Sequence, residues 1–334
     1  MWPARTSGVF YCVAILACAG CGGPQIPANP DLARLRQIAQ AVVASAIADP
    51  DPQVRAAAAE VIASTGQMQL APALLSLLRD GQVPVRFAAL MGIGQMQYTQ
   101  ARAQVQEVFD QIQEDTNVRL AAAYALVRLG ASPYAEYPKR MIVSKDQTVR
   151  ANAAMILGRI ADKQSLEALY WAIQDPASDQ RVVMQAMESI AMLGDTRIYN
   201  RIWTRLISAY ADDRIAGIRA MGALGTNQAK EAIMTTLDDE VLEVRLAAAA
   251  ELGRLGDRSG LKVVKDAMDK GLITTAAIDI GQGRTQGEVA KVLCGSAIGQ
   301  IGSMELARYL PRLLEDPSRL VQLSAAKAVL QLTR

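Results

Sequence analysis

The stretch Val244–Asp257 reads VRLAAAAELGRLGD, an alanine-rich segment with helical spacing that stops at a glycine. Similar stretches begin with the same Val-Arg pair at Val54, Val85, Val118 and Val149. We number each copy from its arginine, which is position 0. Successive positions 0 lie 31 or 33 residues apart, apart from one step of 46 residues. A self-similar period in the low thirties predicts a solenoid of stacked units.

Six arginines and three other residues occupy position 0. The arginines are Arg55, Arg86, Arg119, Arg150, Arg214 and Arg245, and the looser copies have Val183, Lys291 and Gln322. Each copy predicts a helix, the B helix, with apolar residues at positions −1, 7 and 10 and a small residue at position 3, all on one face. Glycine usually follows at position 11, where a left-handed C-cap is expected.

An acidic residue precedes most B helices, where it can cap the helix N-terminus. These acids are Asp51, Asp80, Asp115, Asp146, Asp179, Asp239 and Asp316. The position-0 arginine is within reach of the acid of its own or the next unit. We therefore expect the six arginines to form a structural ladder between units, rather than a row of anion-binding sites.

A second, shorter helix with apolar helical spacing, the A helix, is expected before each B helix. The alternation of A and B helices resembles HEAT repeats, and in particular the short HEAT-like repeats of phycobilin lyases. The resemblance covers residues 31–334 and implies an all-α fold, a right-handed α-solenoid of about nine two-helix units. The expected units are residues 31–66, 67–97, 98–130, 131–161, 162–194, 195–225, 226–256, 257–302 and 303–334. The eighth unit contains an insertion over 266–288, interpreted as a loop or an extra short helix at the edge of the solenoid, or as a partner-contacting loop.

The N-terminal segment predicts export and lipidation. One arginine, Arg5, precedes an apolar run too short to span a bilayer, which is typical of a signal peptide over residues 1–20. The sequence before Cys21 resembles a bacterial lipobox, and Cys18 is an alternative lipidation site. Residues 21–30 form a proline-broken tether. Glycine after Cys21 resembles outer-membrane sorting in enterobacterial lipoproteins, so we expect a protein facing the periplasm if the host has an outer membrane.

Composition narrows the functions that this chain can have. It contains no histidine, which removes the commonest general base and metal ligand. No catalytic motif is present, so we predict no catalytic residues, no metal and no cofactor. The net charge of +2 does not favour nucleic acid as a partner.

A protein partner is the remaining expectation. Position 5 is predicted to face away from the buried side of each B helix and to line a concave groove. In three successive units, the residues at position 5 and those beside them form a predicted concave ridge for partner binding. These residues are Phe87, Met91, Tyr124, Arg128, Met155 and Arg159. The competing interpretation is ordinary packing within a tight superhelix. The methionine-rich fifth unit is interpreted as core or groove lining.

The sequence thus predicts a non-catalytic, membrane-anchored scaffold that binds a protein partner on its concave face. The alternative is a phycobilin-lyase-like or other HEAT-repeat enzyme or regulator, which the resemblance implies. An export signal argues against this alternative, because the substrates of phycobilin lyases are cytosolic. HEAT-repeat hydroxylases need metal-binding histidines, and this chain has none.

Overall fold

Acidic residues and left-handed C-caps delimit the B helices. In the computed structural model, which describes residues 31–273 and 285–334, Asp51, Asp115 and Asp146 accept backbone N–H bonds at 2.8 Å from residues of the first helical turn. The glycines at position 11 have positive φ. In units two and four, which lack this glycine, Gln97 and Ala161 adopt the same left-handed conformation, with φ of 52° and 62°. The chain keeps the cap geometry even without the residue that favours it.

The described residues contain nine B helices, and the predicted all-α solenoid is confirmed. They are α2 (Pro52–Thr65), α4 (Val83–Met96), α6 (Thr116–Arg128), α8 (Gln147–Ile160), α10 (Gln180–Met192), α12 (Ala211–Leu224), α14 (Leu242–Arg254), α16 (Gln286–Ile301) and α19 (Arg319–Leu332). The signal peptide, the tether and residues 274–284 of the insertion lie outside the described residues.

The A helices are α1 (Leu32–Ala46), α3 (Ala71–Leu77), α5 (Arg102–Asp110), α7 (Glu136–Met141), α9 (Leu166–Gln174), α11 (Tyr199–Leu206), α13 (Asn227–Met234), α15 (Leu261–Asp269) and the pair α17 (Met304–Ala307) and α18 (Leu310–Leu314). Apart from α1, which has 15 residues, the A helices are shorter than the B helices, and α3, α5, α7, α9 and α11 each follow a single turn of 3₁₀ helix. Consecutive B helices pack closely along the array, whereas A helices contact one another little. The B helices therefore form the inner layer and the A helices the outer layer.

The array closes into a ring, because the last B helix packs against the first unit. Helix α19 contacts both α1 and α2. The face of α1 that becomes buried carries Leu35, Ala39, Val43 and Ala46. The open superhelix that the repeat pattern predicts is thus a closed circle. Closure gives each terminal unit a packed neighbour, which open solenoids replace with polar capping repeats.

Polar contacts accompany the apolar packing at this seam between the first and last units. Arg319 lies 3.2 Å from the Asp49 carboxylate and donates to the Ser45 hydroxyl at 2.7 Å. Lys327 lies 3.1 Å from Glu60. The seam therefore has the same combination of apolar contact and ion pairing as the other unit boundaries.

Five of the position-0 residues bind an acid of the following unit. The ion pairs are Arg55–Asp80, Arg86–Glu114, Arg150–Asp175, Arg214–Asp239 and Lys291–Asp316, at 2.6–2.8 Å. The acids have divided roles, since Asp115 and Asp179 cap helices while Glu114 and Asp175 take the ion pairs. Arg319 and Asp49 continue this row across the seam.

Among the described residues, two of the predicted ladder arginines have no acidic partner and donate to carbonyl oxygens instead. Arg119 donates to the Phe109 carbonyl at 3.0 Å, with its guanidinium over the rings of Phe109 and Tyr137. Arg245 donates to the carbonyls of Asp239 and Glu240 within its own unit. Arg119 thus ties its B helix to the end of the preceding A helix, α5, and Arg245 ties its B helix to the turn that precedes it.

Candidate functional site

The inner wall of the ring is the face of the B helices that carries positions 2, 5 and 9. Ion pairs link position 5 of neighbouring B helices, as in Glu188–Arg219 at 3.2 Å and Glu60–Lys327 across the seam. This face lies opposite the A helices and points to the ring interior. It is the surface that the sequence assigns to partner binding.

Met91 and Tyr124 do not form the exposed strip that the pattern predicts. They are 6% and 4% exposed. A Cβ added at Gly94, on the preceding B helix, would lie 2.6 Å from the Tyr124 ring. Because Gly94 has no side chain, the tyrosine packs sideways between α4 and α6. The prediction that position 5 faces away from packed surface is therefore wrong for these two residues.

The other predicted contact residues have different surroundings. Phe87 and Met155 are half-buried and pack against the core. Arg128 is half-buried and Arg159 is exposed. Both arginines lie at position 9, in the last turn of α6 and α8. The polar part of the predicted set thus remains available on the inner wall, while half of its apolar part is used in packing.

Arg128 and Arg159 act on the same tyrosine. Burial raises the pKa of the Tyr124 phenol, and the positive charges of Arg128 and Arg159 lower it. The arrangement places two guanidinium groups around one phenol, on adjacent units of the ring.

A balanced charge network occupies the inner wall of units five to seven. Arg219 pairs with Glu188, and Arg254 donates to Glu251 at 2.8 Å. Burial raises the pKa of Glu251, and the charge of Arg254 opposes this shift. Each cation here has an acidic partner, so this network stabilises the wall and leaves little free charge.

The seam contains an apolar pocket of about 330 Å³ on the inner wall. Its walls come from α16, α19 and α2, with Leu293, Leu323 and Val61 among the apolar residues. Glu288, Lys327 and Glu60 provide charges, and Ser296 occupies position 5. Unit three has Tyr124 at that position. The small serine in unit eight leaves unfilled the space that a large side chain takes up elsewhere in the ring.

The methionine-rich fifth unit is divided between core and surface. Met187 is buried, Met184 packs partly against the core, and Met192 is 41% exposed. The buried Cys294 lies at the small-residue position of α16, and burial raises the pKa of its thiol to about 12. Neither feature forms a groove by itself.

Sequence reasoning missed the seam pocket, although two signals point to the seam. Position 5 carries opposite charges in the first and last units, Glu60 and Lys327. Arg319 also appears in the last unit, where Gln322 replaces the usual position-0 arginine. Complementary charges at the two ends of a repeat array are what a closed ring would bring together.

Residues 31–273 and 285–334 include no helix long and apolar enough to cross a membrane. The same residues contain no group of three or more acidic or cysteine side chains placed to hold a metal ion.

Three segments, residues 39–127, 139–206 and 203–279, match the family of HEAT repeats. The matches cover more than half of the chain, and the protein belongs to the HEAT-repeat family. No curated protein matches it.

Solved structures of low sequence identity are similar to this chain over most of its length. Human deoxyhypusine hydroxylase is 16% identical over 90% of this chain and 98% of its own, with a TM-score of 0.37. The complex of CpcE and CpcF of phycocyanin lyase from Nostoc sp. PCC7120 includes a chain that is 17% identical. The match covers 77% of this chain and 93% of that one, with a TM-score of 0.40.

Proposed function

We propose that this protein is a non-catalytic scaffold, lipid-anchored in the bacterial cell envelope, which binds a segment of a protein partner on the inner wall of its ring. The observation that carries the proposal is the seam pocket. Its volume of about 330 Å³, its largely apolar walls and its few charged groups are typical of a binding site. An apolar side chain of the partner would enter the pocket, next to Glu60 and Lys327.

A binding role accounts for the chemistry of the chain better than catalysis does. The chain has no histidine, and the Cys294 thiol is buried with a raised pKa, which disfavours the reactive thiolate. Most charged side chains of the inner wall are ion-paired. A closed ring of rigidly packed helices is suited to holding a surface in a fixed shape.

Site-specific photocrosslinking in the native host tests where the partner binds. A photoreactive amino acid with a short diazirine side chain at Ser296 lines the seam pocket without filling it, and the same amino acid at Ile112, which is 80% exposed, provides the matched control outside the pocket. We expect a covalent adduct with one protein from Ser296 and none with that protein from Ile112. Ser296→Tyr, which fills the pocket as Tyr124 fills position 5 of unit three, should abolish capture by a crosslinker at Leu293. Capture of the same protein from Ile112 alone would contradict binding in the ring.

Lipidation at Cys21 is a separate prediction, and it supports the envelope location. Acyl chains stabilise membrane binding by about 0.8 kcal/mol per buried CH₂, so a diacylated cysteine holds a protein firmly at the bilayer. We expect Cys21→Ser to abolish the diacylglycerol adduct in the intact mass and to block processing. Cys18→Ser should leave the adduct and the processing unchanged. Loss of the adduct in Cys18→Ser but not in Cys21→Ser would assign the lipid to Cys18. A wild-type protein without any adduct would contradict the anchor.

A further inference from the structure

Arg128 and Arg159 differ from the other arginine at position 9. Arg254 occupies the same position in unit seven and is paired with Glu251. Within residues 31–273 and 285–334, neither Arg128 nor Arg159 has a carboxylate or another hydrogen-bond acceptor. Two adjacent units of the inner wall therefore present two positive charges that the chain does not neutralise.

The burial of Arg128 makes its lack of a partner costly. Its Nε atom is buried and has no acceptor. A buried donor without an acceptor destabilises the folded state, and the cost is greater when the group is charged. Nε is closed to other molecules, but the two Nη atoms of this half-buried guanidinium are not buried and have no acceptor among the described residues. A carboxylate of another molecule would therefore pair with the Nη atoms and neutralise the charge.

Tyr124 gives the site a fixed third donor. Its ring is held against Gly94, and its hydroxyl makes no hydrogen bond within the described part of the chain. The two guanidinium groups lie near enough to act on the phenol electrostatically. Arg128 follows Tyr124 by four residues on one face of α6, and Arg159 has the same repeat position in the adjacent α8. A hydroxyl on a fixed ring beside these two arginines can donate to an oxyanion that they bind.

We infer that Arg128, Arg159 and the Tyr124 hydroxyl bind a carboxylate of a protein partner, from an aspartate, a glutamate or a chain terminus. The inference rests on the proposed function and names the partner chemistry at a second point of the same wall. The half-buried Met155, on the B helix that carries Arg159, would contact apolar residues beside the carboxylate. An acidic segment with apolar neighbours therefore fits better than an isolated phosphate.

A defined peptide tests the carboxylate site without knowledge of the natural partner. The probe is a fluorescent nonapeptide of three Gly-Leu-Glu repeats, and the comparison peptide has Gln in place of Glu. Charge-assisted hydrogen bonds are about twice as strong as neutral ones, so we expect the Glu peptide to bind the wild-type protein about tenfold more tightly. Arg128→Gln with Arg159→Gln should remove this difference. Arg254→Gln replaces an ion-paired arginine at the same repeat position, and this variant should retain the preference for the Glu peptide.

A single-arginine variant, two competitors and the crosslinking experiment distinguish the possible outcomes. Arg159→Gln alone is an exposed substitution that leaves the fold intact and should lose most of the preference for Glu. Equal binding of both peptides to the wild-type protein would overturn the carboxylate site. If the wild-type protein shows no preference for the Glu peptide, and inorganic phosphate or phosphatidylglycerol vesicles displace the fluorescent peptide, the arginines bind phosphate instead. The two proposals can fail separately. If the wild-type protein shows no preference for the Glu peptide, and crosslinking from Ser296 persists in the double-arginine variant, this inference is refuted while the scaffold proposal stands.

Discussion

Ala39→Asp is expected to open the ring at its seam. Ala39 is fully buried on the face of α1 that packs against the last unit. An uncompensated buried charge costs about 3–5 kcal/mol, which is large for one contact between two helices. In a repeat array each unit depends mainly on its neighbours, so the inner units should remain folded. We therefore expect a larger radius of gyration by small-angle scattering, with little loss of helical circular dichroism.

Ala41→Asp provides the matched control, because Ala41 lies on the same helix and is exposed. It should leave the scattering profile unchanged. Hydrogen exchange should show faster exchange in α1 and α19 of the Ala39 variant only. A folded Ala39→Asp protein with wild-type scattering would show that α1 is not needed to keep the ring closed.

The repeat could be predicted from the sequence because its determinants are local. Ala58, Ile62 and Gly66 occupy the same helical positions as Ala248, Leu252 and Gly256, so packing and capping follow from spacing alone. The row of ion pairs is nearly as local, since each links adjacent units. The sequence does not specify which of two neighbouring acids accepts the ion pair, as the Arg86–Glu114 pair illustrates. Two acids stand side by side there, and only the turn geometry decides which one caps the helix.

Ring closure could not be derived in the same way. It depends on the sum of small rotations between units, and an error of a few degrees at each unit separates a ring from an open superhelix. The sequence of α1 contains part of the information that determines ring closure. Leu35, Ala39 and Val43 lie on one face of α1. The same apolar spacing occurs in every A helix, and it does not specify α19 as the second partner.

In the candidate site, a glycine in the preceding unit decides whether a large side chain is exposed or buried. Tyr124 at position 5 was expected on the surface, but Gly94, 30 residues earlier, makes room for its ring. Arg128 and Arg159 were placed beside the same ridge, and they remain there. Sequence patterns thus misjudge the apolar surface of the site, because the direction of a large side chain depends on the neighbouring unit.

Gly253→Ala is expected to reverse the usual effect of replacing a helical glycine. Alanine in a helix interior normally stabilises it by about 1 kcal/mol relative to glycine. At Gly253, however, an added Cβ would lie 2.6 Å from the backbone nitrogen of Ile301 and 2.8 Å from the carbonyl carbon of Gln300. These atoms belong to α16 and cannot rotate away. Overpacking of this kind costs about 1–3 kcal/mol, so the free energy of unfolding should fall despite the gain in helix propensity.

Gly222 is the matched control, because it lies at position 8 of the preceding unit, as Gly253 does in its own. A Cβ at Gly222 would meet the carboxylate oxygen of Glu251 and, at 2.9 Å, a guanidinium nitrogen of Arg254. Both atoms are at the ends of flexible side chains, which can move at little cost. In urea unfolding, Gly253→Ala should therefore be clearly less stable than Gly222→Ala. Equal stability of the two variants would mean that α14 and α16 can separate without cost, and that the close approach of B helices is not what fixes the curvature of the ring.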